Sequence, residues 1–276
     1  MMAQSALINV IFRASEKAAR GLVRDFGEVE NLQITRKGVA DFVSNADTDA
    51  EKAIMFELKK ARPDWGFIME EGGIIPPQEP DGPSWIIDPL DGTTNYLHGI
   101  PHFAISIAAI DKPLAKGGKV IAGGIFDPMK NEFFFAEPGK GAFLNDRRIR
   151  VAGRRNMADG LFATGIPFMG RGNDDDHNAF LNEMREVMAT TSGVRRMGSA
   201  ALDLAWVAAG RYDGFWEHGL SVWDIAAGVL IVREAGGFVS DFASRDRALT
   251  SGDVVAGNPQ THSGLRKTLK AGRDRA

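Results

Sequence analysis

The stretch Trp85-Ile86-Ile87-Asp88-Pro89-Leu90-Asp91-Gly92-Thr93-Thr94-Asn95, WIIDPLDGTTN, decides how the chain is read. A short apolar run, the mark of a buried strand, ends in two aspartates three residues apart. A proline lies between them, and a glycine and two hydroxyls follow. Taken alone, Pro-x-Asp-Gly is turn chemistry. Two like charges at the exit of a buried strand also repel, so a positive partner is expected between them, and a metal ion is the candidate.

Outward from this stretch, strands and helices alternate. Leu7, Ile11, Ala14, Ala18 and Leu22 recur at helical spacing, which predicts an amphipathic helix over 6–23 with Gly27 as its stop. Short strands are expected at 31–35 and 41–43 around a turn at Arg36-Lys37-Gly38. Thr48 and Glu51 have capping-box spacing, predicting a helix that opens there and runs to about Ala61 before Pro63. A strand over 65–69 and a Pro/Gly-rich loop over 72–83 precede the central stretch. Strands are expected at 103–110, 120–126 and 132–136, the last two joined by a hairpin turn at 127–131, with a further turn at 139–143. A strand near 161–164 and helices near 175–189 and 199–209 follow. A strand at 214–217, a helix over 222–235, strands at 237–241 and 253–256, and a helix after Pro259 complete the series. MGRGNDDD, 169–176, reads as the most flexible connection. The pattern points to one layered α/β (α+β) domain, with an N-terminal half to about residue 150 and a C-terminal half over 151–276.

Composition narrows the function. The chain has 276 residues, 44% of them hydrophobic and 25% charged, which suits a globular protein with a substantial core. A net charge of −3 gives no electrostatic case for nucleic-acid binding. The absence of cysteine excludes disulfides, thiolate metal sites and Cys nucleophiles. With no signal pattern and no 18-residue apolar run, a cytoplasmic protein is expected.

Other carboxylates echo the Asp88–Asp91 pair. Glu70 and Glu71 also follow an apolar strand and precede two glycines, and adjacent strand ends can converge on one point. Asp224 lies three residues after Ser221, capping-box spacing at a helix start, so by itself it reads as a cap. Asp47, just before Thr48, has a similar helix-start reading. Oxygen-only donors suit a hard cation such as Mg²⁺ and not zinc. His98 and His102 are four apart, but Pro101 between them breaks a helix, so they are read as structural or surface residues. There is no phosphate-binding lysine loop and no G-x-S-x-G elbow.

KGVADFVSNADTDAE (37–51), EE (70–71), DPLDGTTN (88–95) and WDIAAGVLIVREAGG (223–237) together resemble the inositol monophosphatase family, in order, from about residue 5 to 265. The resemblance implies a layered αβαβα sandwich and a Mg²⁺-dependent, lithium-sensitive phosphomonoesterase, usually a homodimer. It implies two to three metal ions: one at Glu70, Asp88 and the Leu90 carbonyl, a second at Asp88, Asp91 and Asp224, and a third, weaker one at Glu70. It implies that Thr93 and Asp47 orient and help deprotonate the attacking water, without a phosphoenzyme. The substrate is expected to meet Asp91, the backbone of Gly92 and Thr93, the segment Gly198-Ser199-Ala200, Glu217 and Asp224. Glu217 taken alone reads as a surface acid, and Gly198-Ser199 as a helix start. Met69 and Gly72 depart from the family pattern, which leaves the shape of the loop after Glu71 open. Myo-inositol monophosphate is the expected substrate. Fructose 1,6-bisphosphate, 3′-phosphoadenosine 5′-phosphate and histidinol phosphate remain alternatives on the same scaffold. A regulatory protein that binds a macromolecule is an alternative of another class, and Arg154-Arg155 and Arg195-Arg196 are the basic doublets that could serve it.

Overall fold

A computed structural model of the chain describes residues 5–26, 34–38, 41–167 and 173–275. Its helices are α1 (Ala6–Asp25), α2 (Asn45–Ala61), α3 (Thr93–Leu97), α4 (Asp174–Thr190), α5 (Ala200–Ala208), α6 (Val222–Glu234), α7 (Ala248–Ser251) and α8 (Pro259–Arg273). The N-terminal strands are β1 (Ile34–Gly38), β2 (Asp41–Ser44), β3 (Gly66–Met69), β4 (Gly73–Ile75), β5 (Ser84–Asp91), β6 (Ala104–Ile110), β7 (Val120–Asp127), β8 (Glu132–Glu137), β9 (Gly141–Leu144) and β10 (Arg147–Ile149). Those of the C-terminal half are β11 (Leu161–Thr164), β12 (Gly193–Arg195), β13 (Gly214–Glu217), β14 (Phe238–Ser240) and β15 (Val254–Gly257).

Two sheets organise the molecule, one of order β10-β9-β8-β7-β6-β5-β3-β4 and one of order β12-β11-β13-β15-β14, beside a β1–β2 hairpin. Alternate residues of the central strands serve two cores, because side chains on a strand point to opposite faces in turn. Trp85, Ile87, Ile105 and Ile107 pack with α1 and α2 residues such as Ile11 and Ile54. Ile86, Ala104, Ala108 and Ile110 pack instead with Leu204, Ala227 and Ile231 of α5 and α6. Helices α5 and α6 pack on each other, α6 against β5 to β9, and α5 also against β13 and β15, so the pair fills the space between the sheets. On the far face of the small sheet, α8 packs on β13 to β15 and on α4. The layers are therefore α1/α2, large sheet, α5/α6, small sheet, α4/α8, the expected αβαβα sandwich. No helix among the described residues is long and apolar enough to cross a membrane.

The differences from the sequence reading are local. Arg36-Lys37-Gly38 belongs to β1 and is not a turn, and Gly27 lies outside the described residues. Helix α2 opens at Asn45, three residues before Thr48, whose hydroxyl donates back to the Asn45 carbonyl, so Thr48 and Glu51 form no capping box. The loop 72–83 contains the exposed edge strand β4. Of MGRGNDDD, Asn173 caps α4 and the three aspartates form its first turn, where negative charge suits the helix dipole. His102 is buried and edge-on to Trp206, and burial lowers its pKa to about 4, while His98 is exposed; neither lines the cleft.

Candidate active site

The aspartate pair owes its geometry to a defect in the sheet. Strand β5 does not stop at Asp88 but runs on to Asp91. In a regular strand, residues three apart face opposite sides. Here Asp88 is opposite Ser106 and Asp91 opposite Ala104, so three steps on β5 match two on β6. The extra residue at Pro89-Leu90 is a bulge, which brings the second carboxylate round to the side of the first. A proline fits there because a bulge asks for no ladder donor. The expected turn is thus a bulge within a strand. Asp88 Oδ1 accepts the Leu90 N–H at 2.9 Å, which fixes the bend.

Glu70 is the neighbour of Asp88 by register. β3 and β5 run parallel with Met69 beside Ile87, so the residue that follows each of this pair is an acid, and the Glu70 N–H donates to the Ile87 carbonyl. Asp224 arrives from α6, whose N-terminus is tied to the same sheet by the Ser106 hydroxyl donating to the Trp223 carbonyl. Its Oδ2 accepts the Ser221 N–H at 2.8 Å, so the cap exists as well as the place in the cleft. Glu70, Asp88, Leu90, Asp91 and Asp224 line one cavity of about 130 Å³ with Gly92, Thr93, Gly198, Ser199, Ala200 and Glu217. Asp47 stands behind Thr93, fully buried.

These acids are electrostatically strained. Burial, and then the charges of Glu70, Asp91 and Asp224, push the Asp88 carboxyl well above the ordinary carboxylate range, and a hydrogen bond with Glu70 adds to the shift. No three of the described acids and histidines form a finished ligand shell. Carboxylates that repel are not expected to close on one point until a cation neutralises them. The donor set, all oxygen and rich in charge, fits a hard divalent cation. A multiply charged cation is also the simplest group that would let all four acids ionise together.

Beside the acids, Gly92 takes a left-handed φ of 102° and starts α3. The φ favours glycine, and a side chain there would also crowd the His102 and Gly198 carbonyls at 3.1 and 3.3 Å. The Thr93 hydroxyl lies 3.1 Å from Asp47 Oδ1 and 3.1 Å from the Leu90 carbonyl. It has one proton for the two acceptors. Any positive charge that draws on the Leu90 carbonyl leaves Asp47 as the better partner.

Across the cleft, Asp91 Oδ2 accepts from the Ser199 hydroxyl at 2.6 Å and the Ala201 N–H at 2.7 Å. Negative charge at the start of a helix is favourable, and this bond docks the C-terminal half on the bulge. It also occupies the Ala201 N–H, while the Leu202 N–H goes to the Ser199 hydroxyl, which leaves fewer of the 198–204 backbone donors for a ligand. Glu217 ends β13 directly over Gly165, where any β-carbon would overlap the Glu217 carboxyl group.

Four residues of the site were given no part in it by the sequence, Arg196 having been read only as half of a basic doublet. Asn95 is buried and its amide donates to the His102 and Met197 carbonyls, both at 2.8 Å, linking α3 to the C-terminal half. Gly165, Arg196 and Asp203 line the cleft. Burial, then the charges of Glu217 and Asp91, raise the Asp203 carboxyl well above its usual range. Asn95 closes the DPLDGTTN stretch, but its amide reaches as far as Met197, and no stretch that carries the family resemblance includes the other three.

The chain matches known proteins in sequence and in shape. The family model described as "Inositol monophosphatase family" matches residues 3–273. An inositol-1-monophosphatase of Mesorhizobium japonicum is 56% identical over 98% of this chain and 98% of its own length. A protein of Pseudomonas aeruginosa named Nus factor SuhB is 43% identical over 96% of each. The crystal structure of extragenic suppressor protein suhB from Bartonella henselae superposes with a TM-score of 0.91 at 52% identity, covering 96% of this chain and 99% of that one.

Proposed function

The chain belongs to the inositol monophosphatase family, and we propose that the acidic cleft is the active site with which it hydrolyses myo-inositol monophosphate to inositol and phosphate. The observation that carries this reading is the β5 bulge, which sets Asp88 and Asp91 beside Glu70 and Asp224 and next to the Thr93–Asp47 pair. Glu70, Asp88, the Leu90 carbonyl, Asp91 and Asp224 would hold Mg²⁺, two to three ions in all. Bound there, Mg²⁺ would neutralise the acids, gather phosphate oxygens and make water a stronger nucleophile.

The chain's own groups do the rest. Asp47 accepts from the Thr93 hydroxyl, whose oxygen lone pairs can then take a proton from an attacking water, so that Asp47 serves as the base through Thr93. The N–H groups at the start of α3, opened by Gly92, would be available to phosphoryl oxygens. The nucleophile in this reading is water and not a side chain: the chain has no cysteine, the Ser199 hydroxyl is engaged by Asp91 as a docking bond, and Thr93 passes a proton on to Asp47 as a relay. The alcohol half of the substrate lies toward Gly198, Ser199, Ala200 and Glu217. Lithium, competing for the cation sites, is expected to inhibit. A homodimer is part of the same reading, supported by the edge strand β12 with the exposed Met188 beside it.

Phosphate release from inositol 1-phosphate, fructose 1,6-bisphosphate, 3′-phosphoadenosine 5′-phosphate and histidinol phosphate tests the reading. We expect turnover of inositol 1-phosphate with Mg²⁺, loss with EDTA, recovery on adding Mg²⁺, and inhibition by Ca²⁺, whose looser coordination misplaces the reacting groups. Full activity after exhaustive chelation refutes it. The name Nus factor SuhB, borne by a relative, favours a second, regulatory reading. It gains ground only if no small phosphate is turned over and a macromolecular partner is captured.

Glu217 is tested separately. Because it is assigned to the alcohol half of the substrate, Glu217→Gln is expected to raise KM for inositol 1-phosphate about tenfold, one lost charge-assisted hydrogen bond, while sparing an aryl phosphate. Unchanged KM for the inositol ester assigns the carboxylate no part in ring binding.

A further inference from the structure

Glu51 is an acid with no role in the proposed chemistry, yet it is 6% exposed and sits one helical turn after Asp47 on α2. A buried carboxylate is costly unless hydrogen bonds offset its lost hydration. Its Oε2 accepts the backbone N–H of Glu71 at 2.9 Å, twenty residues along the chain. At that point β3 has just ended. The Glu70 N–H is still paired with the Ile87 carbonyl of β5, and the next N–H is taken by Glu51. A charge-assisted bond therefore holds the chain just where the Glu70 side chain leaves for the cleft.

Packing closes the other side of Glu51. A β-carbon on Gly72 would lie 2.8 Å from Glu51 Oε1 and 2.9 Å from Met69 Cε. The large residue at 69 and the missing side chain at 72, both departures from the family pattern, are thus two sides of one arrangement. Met69 and the Glu51 carboxylate together fill the space that a side chain at 72 would need.

We infer that Glu51 is a positioning residue for Glu70: by holding the Glu71 N–H, it fixes the turn after β3 and so the direction from which the Glu70 carboxylate enters the cleft. One helix then sets two arms of the site, Asp47 through Thr93 and Glu51 through Glu71. The inference rests on the proposed role of Glu70 as a cation ligand. It adds a group that touches neither cation nor substrate.

The test is calorimetric titration of Mg²⁺ into the metal-free protein, with melting in EDTA and phosphate release measured alongside. Groups that orient a metal ligand typically contribute tenfold to a hundredfold in affinity, so Glu51→Ala is expected to weaken Mg²⁺ binding by about that factor. Much of its kcat should return at saturating Mg²⁺. Glu51→Gln keeps an oxygen that can accept from Glu71, and its Mg²⁺ affinity is expected to stay within about threefold of wild type. Gly72→Ala leaves Glu51 in place but crowds its carboxylate. It is expected to weaken Mg²⁺ binding several-fold with little change of melting in EDTA, and it serves as the test if Glu51→Ala does not fold. A group that only braced the fold would lower melting and leave Mg²⁺ affinity unchanged. Wild-type affinity in both Glu51→Ala and Gly72→Ala, or equal losses in the alanine and glutamine variants, overturns the inference. Wild-type protein that takes up no Mg²⁺ refutes instead the reading of the cleft on which it stands.

Discussion

Replacing Asp88 by asparagine is expected to abolish Mg²⁺-dependent phosphate release while raising the melting temperature of the metal-free protein. The two effects have one cause. Asp88 is almost fully buried, and burial together with Glu70, Asp91 and Asp224 disfavours its ionised form. In the absence of a cation, that charge costs the fold stability. Asparagine removes the charge and keeps an oxygen that can accept the Leu90 N–H, so the bulge survives. Relief of about 1–2 kcal/mol would raise the melting temperature in EDTA by about 2–8 °C for a chain of this size. Catalysis moves the other way. Asp88 lines the cleft with Glu70 and Asp91 and would be one of the groups that hold the proposed cations, and a carboxamide binds Mg²⁺ poorly. Losing several kcal/mol of transition-state charge stabilisation corresponds to a fall in kcat/KM of about a thousandfold or more. Wild-type turnover, or a drop in metal-free melting, would show that Asp88 is a structural carboxylate.

The fold was legible because its strongest signals are local. The apolar run at 85–87, the helical period of 6–23 and the caps of the later helices each decide an element within a few residues. What was misread involved partners far along the chain. Glu51 has capping-box spacing from Thr48, but its hydrogen bond goes to Glu71, and nothing near residue 51 announces that. Pro-Leu-Asp-Gly is written like a turn, and only the register against β6 turns it into a bulge. Asn95 joins two halves of the molecule across about a hundred residues, a contact that no window of sequence contains. Gly165 matters because Glu217 lies over it, a fact of packing alone. The acids were legible as a group for the opposite reason. Carboxylates at the ends of apolar strands are costly wherever they occur, and their repetition at 70 and at 88–91 made a shared purpose the economical reading.

Asp224→Asn bears on the position where two explanations were each sufficient. A helix cap and a cation ligand both account for an acid three residues after Ser221, and the two roles are compatible in one side chain. One oxygen accepts the Ser221 N–H at 2.8 Å, while the same carboxylate lines the cleft and helps to raise Asp88. The amide oxygen of asparagine can accept that N–H as well, so the N3 half of the capping box should survive the substitution. Metal-free melting is therefore expected to stay near wild type or rise slightly, since one of four mutually repelling acids has lost its charge. Function should not survive. The kcat is expected to fall by about a hundredfold or more, equivalent to about 2.7 kcal/mol or more of transition-state stabilisation. More Mg²⁺ should be needed to reach half-maximal rate, and the rise in melting temperature on adding Mg²⁺ should shrink, because the stabilisation a ligand gives grows with the logarithm of its concentration over its Kd for the folded form. Melting of wild type and Asp224→Asn, each with EDTA and with Mg²⁺, separates the roles. A large loss of metal-free stability would mark the charge as part of the cap, whereas an unchanged Mg²⁺ shift with wild-type kcat would leave Asp224 no share in the cation site.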